Sequence, residues 1–95
     1  MVAQVDENGK VCLCKDVLKN GIVYELVMPS QTQLEPVENE LGRIFNENNV
    51  WKIEFKQLKT ESGKLFDEIH SGNTHAIMLP SVVAGFSFLR IKTQG

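Results

Sequence analysis

The sequence predicts an α+β fold: a mainly antiparallel sheet of about five to six strands with two helices packed on it, in the order β-β-β-α-β-α-β-β. Three observations carry this. Asn8-Gly9 and Asn20-Gly21 are hairpin-type dipeptides flanked by apolar residues. The segment from Ser30 to Asn49 has its apolar residues at helical spacing, and the segment from Val50 to Lys59 alternates apolar and polar side chains. At 95 residues the chain is read as a single α+β domain over 1–95. Its 42% hydrophobic and 23% charged residues match an ordinary globule with a modest core.

The two Asn-Gly turns predict a β-meander with strands at about 2–7, 10–19 and 22–28. In that register Ala3 opposes Cys14, Val5 opposes Cys12, and Val17 opposes Tyr24. Cys12 and Cys14 then share one face with Ala3, Val5, Leu18, Val23 and Val27, because side chains alternate along a strand. Their Cβ atoms would stand roughly 6.6 Å apart, too far for the ~3.5–4.5 Å of a disulfide. The opposite face carries Val11, Leu13, Val17, Ile22, Tyr24, Leu26 and Met28. Both faces are therefore apolar, and each needs a cover.

In "SQTQLEPVENELGRIFNENN", Leu34, Val37, Leu41, Ile44 and Phe45 predict a first helix, with Thr32 and Glu35 as a capping box, Pro36 near its start and Asn48-Asn49 at its end. Gly42 inside it costs about 1 kcal/mol relative to Ala, which points to a close contact there. "VWKIEFKQLK" predicts a strand with Trp51, Ile53 and Phe55 facing inward and Lys52, Glu54 and Lys56 in water. "TESGKLFDEIHSGN" predicts a second, short helix burying Leu65, Phe66 and Ile69, with Gly72 closing it. "THAIML" and "FSFLRIKT" complete the sheet.

Chemistry-bearing residues are few. Cys12, Cys14, His70 and His75 make the count of a structural zinc site, but Cys-x-Cys lacks the usual knuckle, and the cysteines read better as small core residues. No metal, no cofactor and no catalytic residue is therefore assigned. Asp67 and Glu68 with His70 and His75 offer an acid–base pair, or else a solvated helix end. "TESGKL" carries a Gly-Lys step but departs twice from the phosphate-binding loop, at Leu58 and Leu65. Lys52, Lys56, Lys59 and Lys64 with Trp51 and Phe55 could stack and hold a single strand, but the aromatics alternate away from the lysines.

A net charge of −2 gives no general attraction to nucleic acid or membrane, so neither is expected as a partner. The polar, acidic amino terminus and the short apolar runs predict a cytoplasmic protein. All 12 acidic residues lie at or before Glu68, and Ser71 to Leu89 carries no Asp, Glu, Lys or Arg. That stretch and the doubly apolar meander predict a small non-enzymatic protein-interaction module acting as a homo-oligomer, most simply a homodimer, with another protein partner as a further option. The alternatives are a small-ligand or metal-binding domain using the Cys/His set, and a small enzyme using a His/carboxylate pair.

Overall fold

Where the sequence predicts a helix ending at Asn48-Asn49, the computed structural model has a hairpin. Asn48 and Asn49 take φ of 55° and 65°, the left-handed pair that a type I′ turn demands and that Asn tolerates better than most residues. The structure describes residues 1–29, 34–70 and 76–91, and among these there is no helix. Their strands are β1 (Ala3–Val5), β2 (Val11–Cys14), β3 (Leu18–Lys19), β4 (Val23–Val27), β5 (Val37–Asn39), β6 (Gly42–Glu47), β7 (Val50–Phe55), β8 (Leu58–Lys59), β9 (Leu65–Phe66), β10 (Glu68–Ile69) and β11 (Phe88–Arg90). The α+β prediction is thus corrected to an all-β fold. The capping-box Thr32, Gly72, His75 and the start of the "THAIML" strand lie outside the described residues.

The first predicted helix is β5 and β6. Val37 and Ile44 are β-branched and directly opposed, and Gly42 sits at φ 149°, which no helix admits. Asn39 Oδ1 accepts from the Leu41 N–H at 2.9 Å and closes the tight turn between them. The second predicted helix is, within the described residues, the turn after β8 followed by β9 and β10, and Leu65, expected inside, is exposed. Thr60 accepts from the Lys64 N–H through Oγ1 at 3.1 Å, and Gly63 turns at φ 92°. Apolar spacing fits both helix and strand over such short runs, and turn chemistry decides.

Seven strands form one antiparallel sheet in the order β2-β1-β11-β4-β7-β6-β5. The expected meander is broken because β11 enters between β1 and β4. Asn20-Gly21 joins no hairpin: β3 pairs with β10, and the Gly21 N–H donates to Phe55 O at 2.9 Å. At the other Asn-Gly, only Gly9 has positive φ, and Asp6 Oδ1 accepts from the N–H groups of Asn8 and Lys10. That wider turn and an irregularity between Gln4 and Val5 set Val5 opposite Val11 instead of Cys12, while Ala3 does oppose Cys14.

The sheet curls, and this is what covers its apolar side. Ile77 bridges to both Val11 and Thr60, so the chain after β10 ties the β2 edge to β8. The core enclosed includes Tyr24, Phe55, Ile44, Ile53, Leu18 and Leu89, all essentially inaccessible. Tyr24 and Leu26 join Ala3 and Cys14 inside, whereas Val23 stands outside. The meander prediction set Val23 on the face of Ala3 and Cys14, with Tyr24 and Leu26 on the other. Tyr24 Oη accepts from the Lys19 N–H at 2.9 Å and lies 3.4 Å from Val17 O, fixing the irregular chain that leads into β4. The cover that the apolar residues require is supplied, over much of the sheet, by the same chain.

Candidate functional site

The outward face of β6, β7, β4 and β11 carries a ladder of charge. Pairing aligns Phe45, Lys52, Glu25 and Arg90 in one row across the four strands. The next row holds Arg43, Glu54 and Val23. Alternation puts all of these opposite Ile44, Ile53, Tyr24 and Leu89, which are buried inside.

Among the described residues, each cation on this face meets a carboxylate. Arg90 Nε donates to Glu25 Oε1 at 2.8 Å, Lys52 Nζ to Glu47 Oε1 at 2.6 Å, Arg43 Nε to Glu54 Oε1 at 2.8 Å, and Lys56 Nζ to Glu38 Oε2 at 2.8 Å. The last pair is exposed, and the bond from Lys56 holds the Glu38 carboxyl below the usual carboxylate range. The first two are different. Lys52 is only 6% exposed and Glu25 only 8%, so the prediction of a wet face at Lys52 is corrected. Buried charge is costly unless paired and hydrogen-bonded, which both residues are.

Above these two lies a concavity of about 400 Å³ lined by Val23, Glu25, Arg43, Phe45, Glu47 and Lys52. The Arg43 guanidinium sits over the Phe45 ring, 4.3 Å from its centroid. The site thus offers an aromatic wall capped by a planar cation, and a floor with a donor and an acceptor side by side. Its volume falls in the range of small-ligand pockets, about 300–1,000 Å³.

Of the residues singled out from sequence as chemistry-bearing, Lys52 lines this concavity and the other described ones lie elsewhere. Cys12 and Cys14 are free thiols. Cys14 is buried, and Cys12 Sγ lies 3.4 Å from Gln4 O. His70 is at the surface, its side chain 71% exposed, with Nε2 3.6 Å from Glu68 Oε2. Among the described residues no three His, Cys, Asp or Glu side chains group as metal ligands. Of the lysine and aromatic patch, Lys52 and Lys56 are ion-paired, Trp51 packs against the core and Phe55 is buried within it. Sequence reasoning missed Arg43 and Phe45 because it placed them on a helix. The alternation Arg43-x-Phe45-x-Glu47 running into Asn48-Asn49 was the available signal.

Burial pushes the thiols of Cys12 and Cys14 and the phenol of Tyr24 above their ordinary values. In the unfolded chain these groups ionise at about 8.5 and about 10. The neutral forms favoured by folding therefore contribute their stability in full below about pH 8.5, and lose it as pH rises beyond. The melting temperature should hold constant from pH 7 to 8 and then fall, and the fall should be shallower in Cys14→Ala, followed by circular dichroism. A flat profile through about pH 10 would contradict the placement of these groups.

An antiparallel all-β unit with a charged, aromatic-walled concavity on one face is the class that fold and site define. It is similar over 92 residues, 96% of its length, to the tRNA hydroxylation protein P of two strains of Helicobacter pylori, at 30% and 29% identity. The chain spans about a fifth of the length of these curated relatives, 22% in each case. No family model matches the sequence, and no solved structure matches the fold. The similarity overturns the prediction of a generic non-enzymatic homo-oligomeric interaction module, and with it the description as generic protein binding. Among the described residues no helix is long and apolar enough to cross a membrane.

Proposed function

We propose that this chain acts in the hydroxylation of tRNA, as the counterpart of one structural unit of the larger tRNA hydroxylation proteins. The observation that carries this is the alignment over 96% of the chain. A match that runs from end to end of a small β unit reflects the whole fold, where a shared short motif would not. The raised thiols of Cys12 and Cys14 make poor nucleophiles at neutral pH, and His70 lies open in solvent. Both favour a supporting part, in which this unit holds substrate or positions it while hydroxylation chemistry is supplied by protein corresponding to the relatives' remaining length. The proposal places the unit in the cytoplasm with its tRNA.

Deleting the coding sequence from the host and digesting its bulk tRNA to nucleosides tests this. Mass spectrometry should show a hydroxylated nucleoside lost in the deletion strain and restored by the wild-type gene. An unchanged nucleoside profile would end the proposal.

A further inference from the structure

Single-stranded RNA is recognised by stacking its bases on aromatic or guanidinium planes and by hydrogen bonds to their edges, and antiparallel sheet faces serve well as the platform. The outward face here has both elements. The Arg43 guanidinium stacked on Phe45 is a planar surface whose far side can take a second planar group. Beside it, Lys52 donates and Glu25 accepts, the complementary pair that a base edge presents. Both are buried and held by partners, Lys52 by Glu47 and Glu25 by Arg90. The groups are therefore set in position before any ligand arrives.

We propose that this concavity seats one unstacked base of the RNA substrate, stacked on Arg43 and Phe45 with its edge read by Glu25 and Lys52. The inference rests on the tRNA reading above and gives that reading a contact site. The pairing of the cations decides what kind of binding this is. Lys52, Arg43, Arg90 and Lys56 are each neutralised by a carboxylate, so the face has little surplus charge for phosphates. Binding should be weak in its salt dependence, unlike the steep dependence of phosphate-led association. It should also favour single strands and loops over duplex, whose bases are already stacked.

The test is an NMR titration of the intact protein with three probes: an unmodified tRNA transcript, a short single-stranded RNA and a blunt RNA duplex. The expected result is shift changes centred on Arg43, Phe45, Lys52 and Glu25 with the first two probes, and not with duplex. Phe45→Ala should weaken binding about tenfold, as for loss of one base–aromatic stack. Phe45 is only half-buried, and Phe45→Leu keeps apolar cover for the sheet while removing the ring, so a misfolded Ala variant does not close the question. Absent shifts, shifts mapping elsewhere, binding unchanged in both variants, or equal binding of duplex would each overturn the inference. Loss of tRNA hydroxylation on deletion, with no RNA binding by the purified protein, would overturn this site and leave the proposed function standing.

Discussion

Gly42→Ala should cost on the order of 4 kcal/mol or more, a large share of the roughly 5–15 kcal/mol that holds a domain together. Gly42 opens β6 at φ 149°, opposite Phe55, and a Cβ there would stand 2.1 Å from Glu54 O and 2.9 Å from Phe55 Cα. Both are backbone atoms of the neighbouring strand, so no side chain can swing aside. Relief requires β6 and β7 to separate at the end where Arg43 and Glu54 pair. A loss of 4 kcal/mol corresponds to a fall of roughly 15–30 °C in melting temperature for a chain of this size. Gly21→Ala is the control. Gly21 also has positive φ, 81°, but a Cβ there meets nothing within 4 Å. It should cost only about 1–2 kcal/mol, the penalty of the left-handed conformation alone. Equal effects in the two variants, read by thermal melting, would refute the clash.

The same glycine shows what the sequence could and could not tell. Its presence amid apolar residues signalled a close approach, and the approach is there, but between strands and not helices. Val50 to Phe55 was legible because six residues alternate and the inward three are large. Val37 to Phe45 was not, since Val37, Leu41, Ile44 and Phe45 satisfy helical spacing while Val37, Ile44 and Gly42 also satisfy the facing register of a hairpin. Only turn chemistry separates the two. Asn48-Asn49 carried that signal, but an Asn pair serves as a helix stop as readily as a type I′ turn. The insertion of β11 between β1 and β4 is a long-range event that no local pattern encodes. The candidate site suffered doubly. Misplacing β6 removed Arg43 and Phe45 from the face, and the burial of Lys52 and Glu25 depends on cross-strand neighbours that only the register supplies.

The loop before β11 separates side chains that composition alone treats alike, and Val83→Asp should be the clearest proof. Val82, Val83 and Phe86 all belong to the uncharged stretch. Val82 is 83% exposed and Phe86 63%, yet Val83 is 4% exposed and joins the core. Its backbone lies against the Asn8-Gly9 turn, where a Cβ on Gly9 would stand 3.4 Å from Val83 O. The segment is clamped further by Ser87 Oγ, which donates to Ala84 O at 2.6 Å, and by the Phe86 N–H, which donates to Asp6 O at 3.3 Å. An aspartate at 83 would be buried without a partner and should cost about 4 kcal/mol or more. At Phe86 the sign differs. Phe86 holds φ 64°, a region that costs an ordinary L residue about 1–2 kcal/mol and that Asp and Asn adopt more easily. Phe86→Asp should therefore leave stability within about 0.5 kcal/mol of the parent or raise it. Urea unfolding of the two variants measures the contrast directly. If Val83→Asp melted with the parent while Phe86→Asp unfolded, the loop would be turned the other way, with Phe86 inside and Val83 in solvent.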